Sequence, residues 1–65
     1  MIKNRLKEIR MREYMMNKGE FAALIGLTDS MYSQLESEKK GCSLKVALQI
    51  SKKLNKSVND IWYLE

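Results

Sequence analysis

Residues 18–37 read KGEFAALIGLTDSMYSQLES, and the fold is decided there. Asn17, just ahead of the stretch, and Glu20 have the spacing of a capping box, in which each side chain satisfies an orphan amide at a helix start. Phe21, Ala22, Leu24 and Ile25 then form an apolar stripe about two turns long. Gly26 is placed to close that helix as a left-handed C′ residue. Thr28 is a good N-cap, and Tyr32 and Leu35, with Met31 alongside, predict a second helix running to about Ser37. Ala22 is small where a larger side chain would hold the two helices apart. Leu27, Tyr32 and Leu35 would anchor the second helix, so that Asp29, Ser30, Ser33 and Gln34 project from its other face.

A two-turn helix, a tight turn containing Gly and a second helix make a helix-turn-helix arrangement. Upstream, Ile2, Leu6 and Ile9 fall at i, i+4 and i+7, which predicts a first helix over residues 2–13. Downstream, Lys39-Lys40-Gly41-Cys42 reads as a loop, and Ser43 caps a fourth helix. The apolar face of that helix is Leu44, Ala47, Leu48, Ile50 (or Ser51) and Leu54. Ser57 with Asp60 forms a second cap-like pair and starts a short terminal helix with Val58, Ile61 and Trp62. No stretch alternates for long enough to predict a strand, and no repeat or linker interrupts the chain. The expectation is an all-α fold of five helices, a single domain over residues 1–65 with its helix-turn-helix at about 18–37.

Sixty-five residues allow one thin core and no deep substrate cavity. There is no His, and the single Cys42 makes neither an internal disulfide nor a zinc site. No apolar run is long enough for a membrane span, and the charged N-terminus does not read as a signal peptide. No nucleophile–base arrangement stands out, so an enzyme is not expected, nor a cofactor, a metal, a small-molecule ligand or a membrane partner. Met11, Met15, Met16 and Met31 read as gap fillers of the core, and Cys42 as a small, partly buried side chain.

The net charge of +4 points to an anionic partner. Residues 1–12 balance at +4 and residues 39–56 at +6, the latter with six Lys and no acid; residues 13–38 balance at −4. Two basic flanks therefore bracket an acidic middle.

With these residues in view, NRLKEIR (4–10), EFAALIGLTDSMYSQLE (20–36) and SLKVALQISKKLNKSVNDIWYL (43–64) together resemble the lambda-repressor-like domain of the Cro/CI (XRE) helix-turn-helix regulators. The resemblance implies a five-helix bundle whose third helix, about 28–37 here, enters the major groove of DNA. By position it implies that Thr28 caps that helix against a phosphate and that Asp29, Ser30 and Gln34 read bases, Gln34 by amide contact to adenine. Met31 and Ser33 would lie beside the groove-facing surface. Lys18 would meet a phosphate near the start of helix 2, and Ser37, Lys39 and Lys40 would make a second backbone contact. Glu36 matches an acid that pairs with an Arg of helix 1, here Arg10.

The chain also departs from the family pattern. Tyr14-Met15-Met16 lacks the usual Gly and is one residue longer, and Asp29 stands where a basic or amide residue is common. Glu38 replaces a small residue, and Cys42 takes a place that is often Pro.

The function expected from all this is that of a sequence-specific, double-stranded-DNA-binding transcriptional regulator, a repressor on a palindromic operator, cytoplasmic in a bacterium or phage host. A homodimer would form through the apolar end Ile61, Trp62, Tyr63 and Leu64. The competing expectation is a protein-interaction module, an antitoxin or adaptor, on the same fold, which the acidic middle and Asp29 favour.

Overall fold

The helices start where short polar side chains can take over orphan amides. In the computed structural model, which describes residues 1–65, Asn17, Thr28, Ser43 and Ser57 each accept a hydrogen bond from the backbone N–H three residues on. Asn17 and Ser57 complete reciprocal capping boxes with Glu20 and Asp60. These caps open α2 (Lys18–Leu24), α3 (Asp29–Glu36), α4 (Leu44–Leu54) and α5 (Val58–Ile61). The first helix, α1 (Leu6–Ile9), has no side-chain cap from its N-cap residue Arg5; Asn4 Oδ1, one residue earlier, accepts from the Leu6 amide at 3.1 Å. Five helices stand in the expected order.

Two expectations are corrected at the chain ends. The first helix does not begin at residue 2. Ile2–Asn4 form a strand, β1, which pairs antiparallel with β2 (Trp62–Leu64) in the register Ile2–Leu64, Lys3–Tyr63 and Asn4–Trp62. The architecture is thus all-helical apart from a short strand pair that ties the two ends together. Ile2, expected on the apolar stripe of helix 1, is largely exposed. A three-residue strand is too short to show a period of two, and its partner lies some sixty residues away.

The connector after α1 explains the longer Tyr14-Met15-Met16 segment. Arg10–Tyr14 continue the helix as a π-helical turn, whose wider ring takes up one additional residue without a looped-out segment. Met15 then breaks it in the left-handed conformation at φ 51°, doing without a side-chain-free residue what Gly does at φ 80° in Gly26.

The core gathers Leu6 and Ile9 of α1, Phe21 and Ala22 of α2, Tyr32 and Leu35 of α3, Ile50 and Leu54 of α4, and Ile61 of α5. Phe21 is its centre, with Tyr14 and Tyr32 meeting its ring edge-on at 5.4 and 5.5 Å between centroids. In α4 the buried stripe is Ala47, Ile50 and Leu54, at i, i+3 and i+7. Leu44 and Leu48, expected on that stripe, lie on the adjoining one and are exposed. The methionines are corrected as well. Met11, Met15 and Met31 are exposed, and only Met16 packs against the core.

Candidate nucleic-acid interface

The outward face of α3 is defined by what holds its inward face. Tyr32 is wholly buried and Leu35 nearly so, three residues apart, which fixes the rotation of the helix about its axis. Asp29, Ser30 and Met31 are consequently exposed, and Ser33 and Gln34 are half-buried. The turn before α3 closes as a Schellman motif: Leu27 donates to Ala22 O at 2.8 Å and Gly26 to Ala23 O at 3.2 Å. Thr28 Oγ1 accepts from the Met31 amide at 3.1 Å, so its hydroxyl is engaged as a cap. Ser37 Oγ turns back to donate to Gln34 O at 3.2 Å.

A buried polar cluster locks the inner end of α3. Arg10 Nε stands 3.1 Å from Glu36 Oε2, and Arg10 Nη1 donates to Met16 O at 3.0 Å. The Tyr32 hydroxyl donates a short hydrogen bond to the same Glu36 oxygen. Burial alone would raise the Glu36 carboxyl, but the hydrogen bonds from Tyr32 and Arg10 and the Arg10 charge outweigh it and hold it below the usual carboxylate range. Burial and the Glu36 carboxylate together push the Tyr32 phenol well above its ordinary value. The pair expected from the sequence is present, and it joins the π-helical turn to α3.

Lys18, expected at a phosphate, has its Nζ 3.8 Å from Glu36 Oε1 with its side chain half-exposed. Its neighbour Gly19 faces Asp29: a Cβ built there would lie 3.5 Å from Asp29 Oδ2. The starts of α2 and α3 therefore share one surface, with Lys18 and Asp29 on it. At the other end of α3, Met31, Gln34, Lys40 and Ser43 line one groove of about 260 Å³, together with Cys42 and Val46. Lys39 is exposed beyond it. Around α3 the chain thus brings Lys18 near Asp29 on one surface, and Met31, Gln34 and Lys40 together in one groove. Ser30 is exposed on the same helix.

Two residues at this edge were given no site role from the sequence. Glu38 follows α3 in the left-handed conformation at φ 65°, and Lys39 and Glu38 donate to Gln34 O and Leu35 O to close the helix. Its carboxylate accepts from the Asn4 amide at 2.9 Å and lies 3.5 Å from Lys3 Nζ. A small residue could occupy that backbone but could not reach β1. Ser43 caps α4 and also lines the groove with Gln34 and Lys40; nothing in the cap signal itself points to the groove.

The apolar end is different from the expected one. Ile61 is fully buried in the core of its own chain and has no surface for a second copy. Trp62 is half-buried and lines a groove of about 340 Å³ with Ile2, Leu44, Val58 and Cys42. Leu64 is exposed, and the Arg5 guanidinium sits 4.2 Å above the Tyr63 ring. Burial raises the Cys42 thiol above its ordinary value. No three ligand-type side chains converge on a point that could hold a metal ion, and no helix is long and apolar enough to cross a membrane.

A family model described as helix-turn-helix matches residues 6–61, nearly the whole chain. No curated protein matches it.

Proposed function

The chain belongs to the Cro/CI-type helix-turn-helix family, and from that premise we propose that it is a sequence-specific regulator that binds double-stranded DNA and represses transcription. One observation carries the reading. The inner face of α3 is locked by Tyr32, Leu35 and the Arg10–Glu36 pair, which leaves its short polar side chains on the outer face, with Lys18 beside Glu36 and Lys39 and Lys40 just beyond the end of the helix. A helix held this way enters the major groove as a rigid unit, which limits the ordering cost of binding. Asp29, Ser30, Ser33 and Gln34 meet base edges, with Met31 against apolar groove atoms. Lys18, Lys39 and Lys40, together with the Thr28 and Ser37 ends of the helix, hold the two phosphate backbones and fix its register. Bound over a promoter in a bacterial or phage-infected cell, the protein excludes polymerase.

Two copies form the active species on a palindromic operator, with half-sites about 34 Å apart. Their contact uses Ile2, Leu44 and Trp62, which line one apolar groove, together with exposed Leu64, the strand partner of Ile2.

Selection from a random duplex library near physiological salt tests the reading. Enrichment of a palindromic motif whose binding weakens steeply with salt is the expected result. Absence of any enriched motif, with only weak salt-sensitive retention, overturns it in favour of a protein-interaction module. Replacing both Lys39 and Lys40 by Ala is expected to weaken binding to all duplexes alike and to lower the salt slope by about 2.

A further inference from the structure

Seven of the eight acidic side chains hold an ion pair or accept a hydrogen bond from a backbone amide. Asp29 does neither, and it stands exposed in the first turn of α3. That helix, DSMYSQLE, carries no Lys or Arg of its own. On docking in DNA, such a carboxylate would lose water and face phosphates, a cost that only a hydrogen-bond donor offsets.

We propose that Asp29 fixes one base of the recognised sequence, a cytosine whose N4 amino group donates to its carboxylate. The proposal rests on the duplex-binding role put forward above and adds a specificity that the family role does not contain. The major groove offers two base donors, cytosine N4 and adenine N6, while guanine and thymine present acceptors there. Adenine sets its N7 acceptor beside N6, and a carboxylate has no proton for it. Cytosine has no acceptor on its own groove edge, so the carboxylate meets only the donor. The position suits the task, because residues at the start of a recognition helix are those that reach base edges. An acid in the first turn also interacts favourably with the helix dipole, but that role is indifferent to base sequence.

The test is parallel selection from a random duplex library with the wild-type chain, Asp29→Asn and Asp29→Ala. Wild type is expected to enrich cytosine at one position, by about tenfold over the other bases, in keeping with one good base contact. With Asp29→Asn that position is expected to move to adenine, whose N6 and N7 an amide can satisfy together. Asp29→Ala is expected to leave the position undetermined while the rest of the motif is kept. One motif shared by all three proteins overturns the assignment of Asp29 and leaves duplex recognition standing. Failure of the wild type to enrich any motif overturns both.

Discussion

At Glu36, donors from Arg10 and Tyr32 converge on one buried oxygen, and Lys18 approaches the other. Removing one member of such a cluster leaves the rest buried and uncompensated, so Glu36→Gln is expected to cost about 3 kcal/mol in urea unfolding. The pH dependence follows from the lowered carboxyl. In the unfolded chain it titrates near its ordinary value of 4.5, and in the folded chain below it. Between the two the unfolded state binds more protons, so this contribution is full above about 4.5 and is lost as pH falls through the folded value. Unfolding curves across pH 3–6 should show that loss in the wild type and a shallower one in Glu36→Gln. Glu38 offers a second check. Its left-handed backbone favours Gly, whereas its carboxylate holds Asn4 and Lys3. Both Glu38→Gly and Glu38→Ala lose the carboxylate, but Ala keeps the backbone strain and is expected to be less stable than Gly by about 1 kcal/mol. The Arg10–Glu36 pair was legible from the family resemblance. The Glu38 contacts were not, because they join residues 34 positions apart through a side chain of unexceptional sequence context.

Among the elements, the helix starts were legible because a cap is a local signal: Asn17, Thr28, Ser43 and Ser57 act within three residues of themselves. Strand pairing between Ile2–Asn4 and Trp62–Leu64 was not legible, since it depends on where the helices bring the two ends. The choice of stripe on α4 was likewise a tertiary matter. Its apolar residues are broad enough to offer two faces, and packing against α5 and the common core selects Ala47, Ile50 and Leu54 over Leu44 and Leu48. The π-helical turn shows the same limit, because the longer connector announced an insertion without saying how it would be absorbed. Met15 ends that turn in the left-handed region with an exposed side chain. Met15→Gly is therefore expected to stabilise the fold by about 0.5 kcal/mol, the relief of strain exceeding the added freedom of the unfolded chain. A melting temperature raised by a few degrees would register it.

For the whole molecule, charge and apolar surface divide between two regions. Lysines lie beside the α3 face, and exposed Ile2, Leu44 and Leu64 mark the side of the strand pair. If two copies meet on the side of the strand pair, Leu44→Asp and Leu64→Asp should keep the helical content and halve the mass seen in sedimentation. Unchanged sedimentation in both variants would place the contact elsewhere. The rotation of α3 was legible because it follows from Tyr32 and Leu35, whereas Ile61, expected at an exposed apolar end, serves the core instead. The central claim is that α3 and its flanking lysines receive the duplex. Backbone amide chemical shifts followed by NMR during titration with a selected 20-base-pair duplex test it most directly. The account predicts shifts concentrated at residues 18–20, 28–34 and 37–43, with the outer face of α5 unmoved. Shifts confined to the strand pair and α5, with α3 silent, would contradict it.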